Sequence, residues 1–154
     1  LFDVRAVVCA SPAYIEQHGA PETPDDLASH ECLVYSNIAD PGRWKYQDAD
    51  GVRCHVDVNV AMSASSGDFL REVSVQGLGV ALQPTFIAGD RIRSGELVAL
   101  LQDYTWPVAP AYAVYPPTRH LSYRVRAFID FLADYFAGVP SWDEDCEEAA
   151  AKHS

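Results

Sequence analysis

The chain of 154 residues has no apolar run approaching the roughly 20 residues that a membrane-spanning helix needs, so no transmembrane helix is expected. No charged-then-apolar leader stands before Leu1, which predicts a protein without an export signal. A strand-like pattern begins almost at once after that Leu, which predicts a domain cut from a longer chain. Basic residues are scarce: 11 Lys and Arg stand against 22 Asp and Glu, a formal charge of −11. Nucleic-acid affinity comes mostly from neutralising phosphates, so this segment alone is not expected to bind DNA. The four cysteines, Cys9, Cys32, Cys54 and Cys146, show no C-x-x-C spacing and no dense secreted pattern. That points to a reducing, cytoplasmic setting, with Cys9 and Cys32 as core thiols. Cys54 and His55 are neighbours on a strand and point to opposite faces, so one metal ion cannot easily take both.

Catalytic signatures are missing as well. Gly77 and Gly79 follow a helix and precede a strand, the reverse of a dinucleotide-binding turn, and the third glycine of that fingerprint is absent. No Gly-x-Ser-x-Gly elbow occurs. His120 beside Arg119 in a loop reads as surface or hinge structure. With no nucleophile, acid–base pair or metal cluster discernible, a hydrolase or transferase is disfavoured, and no cofactor is implied.

What is present alternates strand with helix, the grammar of an α/β protein. VRAVVCA reads as a strand; Ser11 then suits a helix cap, Pro12 the first helical position and Gly19 the exit. The pattern repeats with Thr23 as cap, Pro24 at the first position, Asp26 three residues on, and the strand Cys32–Tyr35. Val52, Cys54, Val56, Val58 and Val60 alternate after Asp50-Gly51, which predicts a hairpin with one buried face. In SSGDFLREVSVQGLGVALQPTFI, Ser65 with Asp68 starts a helix, Gly77 ends it, Gly79 opens the strand Val80–Gln83, and Pro84-Thr85-Phe86 turns away at the strand's end. GDRIRSG reads as a loop, and ELVALL and APAYAVYPP as strands. Val125, Phe128, Ile129, Leu132 and Phe136 line one face of a helix that is expected to dock on a sheet. Residues 141–154, acidic and polar, read as a solvated, disordered end.

Two readings fit the polar ends at Ser11, Ser65 and Ser66. Plain N-capping, worth about 1 kcal/mol per cap, needs no ligand. Alternatively, hydroxyls and free backbone N–H groups at helix starts face a carboxylate or other anion. The strand end at Gln83-Pro84-Thr85-Phe86 favours the second, because ligands in open α/β sheets bind beyond the carboxyl ends of strands.

VRAVVCASPAYIEQHGAPETPDDLASHECLVY, SSGDFLREVSVQGLGVALQPTFI, SGELVALL and YAVYPPTRHLSYRVRAFIDFL, in that order, resemble the effector-binding region of LysR-type transcriptional regulators over about Val4 to Phe136. The resemblance implies a periplasmic-binding-protein-like fold of two α/β lobes. Residues 1–10 would hold the first crossover strand, 11–110 the second lobe, and 111–140 the return strand (Ala111–Tyr115) with the C-terminal helix of the first lobe. It further implies a bacterial cytoplasmic regulator that binds a small-molecule effector, a carboxylate among the candidates, and self-associates to a dimer or tetramer. DNA contact would be made by a winged helix-turn-helix not contained in these residues. The effector contacts implied are Ser11, Ser65, Ser66, Pro84, Thr85 and Phe86; relatives often have Asn where this chain has Ser65-Ser66. A stand-alone solute-binding module of the same fold is the alternative.

Overall fold

The β-branched run near the amino end forms strand β1 (Phe2–Ala10) in a computed structural model that describes residues 1–115, 122–138, 140 and 142–143. Val8, Cys9 and Ala10 are fully buried, because the second half of β1 lies in the middle of a sheet and is covered on both faces. Ser11 ends the strand. Its Oγ accepts the Tyr14 N–H at 3.2 Å, Pro12 opens α1 (Pro12–His18), and Gly19 closes it at a φ of +78°. The capping box expected at Thr23 and Asp26 opens a turn of 3-10 helix, Pro24–Ala28, which leads into β2 (Cys32–Tyr35).

Strands β3 (Arg43–Gln47) and β4 (Arg53–Asp57) form the expected hairpin. Asp48 Oδ1 ties its turn by accepting the N–H groups of Asp50 and Val52. The run of alternating residues does not stay in that hairpin to Val60, however. After Val58 the chain moves to the main sheet as β5 (Val60–Ala64), parallel to β2, with the Asn59 carbonyl accepting Cys32 N–H at 2.9 Å. Period-two alternation reports a strand but not which sheet it joins, so two strands read as one.

Helix α2 (Gly67–Val75) follows, then β6 (Val80–Pro84), α3 (Thr85–Arg93), β7 (Val98–Leu100), β8 (Val108–Ala111) and α4 (Tyr123–Tyr135). The main sheet is ordered β5-β2-β6-β1-β7, with β8 joined to the first half of β1. Strands β5, β2 and β6 run parallel, and β1 runs against β6 with Ala6 opposite Pro84 and Cys9 opposite Ala81. One face of the sheet buries Val8, Val34, Val80 and Trp106 with Trp44 and Val56 of the hairpin. The other buries Val7, Leu33 and Ala81 against Leu70, Val73 and Ile92 of α2 and α3.

Four expectations need correction. GDRIRSG is not a loop: Gly89 to Arg93 complete α3, whose Thr85, Ala88, Gly89 and Ile92 face inward at helical spacing. The return strand is Val108–Ala111 rather than Ala111–Tyr115, because Phe2, at the start of β1, pairs with Ala111 and leaves later residues no ladder partner. Its Pro110 is tolerated because β8 is an edge strand. Helix α4 buries none of its residues: Phe128 is 61% exposed, and only the carboxyl end of the apolar stripe meets the sheet, where the Phe136 ring lies 4.6 Å from Phe2 of β1. Finally, the segment read as disordered is not so throughout. Asp143 is 2% exposed, and Trp142 meets three aromatic rings edge-on or tilted. His120 and Cys146 lie outside the described residues.

Candidate functional site

Three parallel strands, β2, β5 and β6, end on the same edge of the sheet, and two helices begin there. At the end of β5, Ser66 rather than Ser65 is the cap of α2, with Oγ accepting Phe69 N–H at 3.2 Å. Ser65 is exposed and makes no cap. At the end of β6, Pro84 precedes α3, whose first residue is Thr85. The two helix starts touch: a Cβ on Gly67 would lie 2.6 Å from Ile87 Cδ1 and 3.4 Å from Gln83 Oε1. Arg71 locks the pair further by donating to the Ile87 carbonyl at 3.2 Å and to Glu72 at 3.0 Å. Arg91 of α3 reaches the same Glu72 oxygen at 3.0 Å, and these guanidinium contacts, that of Arg71 first, hold the Glu72 carboxyl below its ordinary range.

The expected contacts therefore divide. Ser65, Ser66, Pro84, Thr85 and Phe86 gather at this edge. Ser11 does not join them, because β1 is antiparallel to β6 and ends at the opposite edge. There the Ser11 hydroxyl lies beside Gly77, 3.4 Å from where a Cβ would stand, and serves as the α1 cap. Within the cluster the roles differ. Thr85 is 5% exposed, and its hydroxyl donates to the Arg5 carbonyl at 3.3 Å, so it steadies β1 rather than facing solvent. Phe86 is 51% exposed and presents its ring outward.

Three further residues border this edge: Gln83, placed at the strand end but not among the expected contacts, and Arg5 and Asp143, which sequence reasoning missed. Gln83, 2% exposed, is a buried amide at the strand end and packs at Gly67; its position next to Pro84 was the available signal. Arg5 is the one cation within the apolar opening strand. With Thr85, Leu100, Tyr104, Trp106 and Asp143 it lines a cavity of about 470 Å³. Asp143 was hidden by the acidic composition around it. Its Oδ2 stands 3.9 Å from Arg5 Nε, and its other oxygen has no partner among the described residues. Charge in this cavity is thus local: the Arg5 guanidinium faces the buried Asp143 carboxylate. The described residues hold no group of three or more metal-ligating side chains and no helix long and apolar enough to cross a membrane.

Comparison with known proteins bears on the family and the fold. The family model described as the LysR substrate binding domain matches residues 1–137. The chain is 35% identical over 135 residues to the HTH-type transcriptional regulator CrgA of Neisseria meningitidis serogroup C, covering 87% of this chain and 44% of that protein. It is 35% identical over 132 residues to the HTH-type transcriptional regulator DmlR of Escherichia coli K12, covering 85% and 42%. It thus spans less than half the length of these relatives. Among solved structures, the CrgA regulatory domain from Neisseria meningitidis superposes with a TM-score of 0.75 at 34% identity, over 88% of this chain and 67% of that one. The full-length Vibrio cholerae virulence activator AphB superposes at 0.76 with 26% identity, over 88% and 46%. A family match over nearly the whole chain, relatives at this identity and a shared periplasmic-binding-protein-like α/β fold lead to one conclusion: the chain belongs to the LysR substrate-binding domain family.

Proposed function

We propose that this chain is the effector-sensing and oligomerisation part of a LysR-type transcriptional regulator. Residues 11–107 form the second lobe, β1 and β8 are the two crossover strands, and α4 belongs to the first lobe. The observation that carries the reading is the convergence at one sheet edge. The carboxyl ends of β5 and β6, the starts of α2 and α3, and the β1–β8 pair leaving the sheet all meet there. A small molecule seated at Ser65, Ser66 and Phe86 touches one lobe directly and the hinge strands through Arg5. Such a ligand biases the lobe angle by its differential affinity for the two arrangements. The edge offers helix amino ends and a cation, which suits a carboxylate. No catalytic role is assigned to it. DNA contact belongs to a winged helix-turn-helix outside these 154 residues, and a cytoplasmic setting follows from that task. The relatives CrgA and DmlR are both HTH-type transcriptional regulators, which favours this reading over a stand-alone solute-binding module.

A thermal-shift screen of small carboxylates, aromatic acids and neutral metabolites tests it, on this chain and on a protein extended to include the first lobe. Selective stabilisation by mass action is expected, lost in Phe86→Ala and weakened in Ser65→Ala, which leaves the Ser66 cap intact. Stabilisation that survives both substitutions would place the ligand elsewhere.

A further inference from the structure

The β3–β4 hairpin is fastened to the chain that leads into a crossover strand. Gln47 and Thr105 exchange two backbone hydrogen bonds, of 2.8 and 2.9 Å, and the Tyr46 ring meets Trp106 at a centroid distance of 5.6 Å. Trp106 is itself fixed: it is buried, its indole N–H donates to the Leu101 carbonyl at 3.2 Å, and Trp44 meets it edge-on at 6.4 Å. Two residues later Val108 opens β8, opposite Arg5 of β1. Against this junction lies a cavity of about 400 Å³ that includes none of the residues at the starts of α2 and α3. One wall is the hairpin, residues 45–47 with Arg53 and Cys54; the other is residues 105–108.

We propose that this cavity is a second small-molecule site, one that takes an aromatic carboxylate bridging the hairpin and the start of the crossover strand. It stands apart from the effector reading at Ser65, Ser66 and Phe86 and does not depend on it. The volume lies within the about 300–1,000 Å³ usual for small-molecule pockets. Its two kinds of lining match the two ends of such a ligand. Alternation along the hairpin leaves Lys45 and Arg53 exposed and Tyr46 and Cys54 half-buried, so the charges stand at the rim and the Tyr46 and Trp106 rings lie deeper. A flat aromatic body packs on those rings, while its carboxylate stays at the rim with the cations. The charges are also uncommitted. Arg43, Arg71 and Arg91 are each held by a carboxylate, whereas Lys45 and Arg53 make no side-chain ion pair or hydrogen bond among the described residues. Paired in register with His55 and Gln47, they are diagonal neighbours on one face of the hairpin. In a chain of formal charge −11, two neighbouring unneutralised cations beside an aromatic cavity select an anion. A ligand seated there touches both walls, so it holds residues 105–108, and with them the start of β8, against the hairpin.

Cys54 and Thr105 report the two walls. Iodoacetamide is applied to the 154-residue chain with and without sodium 2-naphthoate, Cys54 modification is followed by mass spectrometry of the digest, and hydrogen exchange of the Thr105 amide is followed in parallel. Naphthoate is expected to slow both. The uncharged 2-naphthamide should protect with about tenfold lower affinity, and naphthoate should lose the same factor in the double variant Lys45→Gln with Arg53→Gln, as fits two exposed charge contacts. Both substituted side chains are exposed, so the melting curve of the unliganded double variant should match that of the wild-type chain. Phe86→Ala should keep the full protection. Cys54 modified at an unchanged rate, equal affinity for the amide or in the double variant, or protection lost in Phe86→Ala would each overturn the site. Protection of Cys54 without slower exchange at Thr105 would overturn the bridge to the crossover strand. A thermal shift by naphthoate that is lost in Phe86→Ala and leaves Cys54 unprotected would overturn this site while the effector reading stands.

Discussion

Burial pushes the Cys32 thiol up to about 12, which leaves almost no thiolate at mildly alkaline pH. Iodoacetamide applied to the native chain is therefore expected to modify the half-buried Cys54 well before Cys9 or Cys32, as read by mass spectrometry of the digested protein. The His30 imidazole makes a second residue-scale test. Glu31 N–H donates to Tyr14 Oη at 3.0 Å, and the same hydroxyl is hydrogen-bonded to His30 Nδ1, 3.1 Å away. Burial first, and His18 second, lower the His30 pKa below its ordinary 6.5, with Asp26 opposing. A base kept neutral by folding contributes stability that is complete above that ordinary value. The contribution is lost as pH falls below it, since the unfolded chain then takes up the proton first. His30→Gln, which keeps an acceptor but cannot titrate, should flatten the fall in Tm between about pH 7 and about pH 5. An unchanged pH profile would place the acid-sensitive group elsewhere.

At the scale of elements, the contact of α2 with α3 is set by a missing side chain. Gly67→Ala brings a methyl group against the tip of the Ile87 side chain, which can turn aside, and should lower unfolding free energy by no more than about 1 kcal/mol in urea titrations. The same glycine shows why parts of this fold were legible and others not. Caps and exits are written locally: Ser11-Pro12, Thr23-Pro24 with Asp26, and Gly77 all stand where they were expected, because a cap needs only its own backbone neighbours. Close approach is not local. Gly89 reads as a turn former yet sits inside α3, where its role is to admit the Trp142 backbone from a segment more than fifty positions later. Edge strands are equally opaque, since β8 is defined by where β1 starts rather than by its own residues. The candidate site was legible in its strand-end half, Ser65 through Phe86. Strand direction defeated the rest: a serine after a strand looks alike at either edge of a sheet, so Ser11 was grouped with residues across the molecule. Arg5 and Asp143 needed tertiary structure to meet.

For the molecule as a whole, the open face of α4 and the net charge act against each other. Val125 and Phe128, with Phe131 and Tyr135 alongside, leave a stripe of apolar surface that no described element covers. Such a stripe drives association when nothing else packs on it. The formal charge of −11 opposes the approach of a second copy, and salt screens that repulsion over about 8–10 Å at ordinary ionic strength. The 154-residue chain should therefore self-associate more strongly as sodium chloride is raised, the opposite of an assembly held by ion pairs. Sedimentation velocity over a wide concentration range, at low and high salt, reads this directly. Phe128→Glu should hold the chain monomeric while changing Tm little, because α4 buries none of its residues in the two core clusters. A monomer at every concentration and salt level would mean that the stripe awaits the sheet of the first lobe instead. The CrgA comparison is consistent with that outcome too, since the present chain accounts for only 67% of that regulatory domain. Association that weakens with salt would instead put the contact at charged surfaces, such as the Arg91 and Glu96 pair on α3 and its following turn, and α4 would have no part in it.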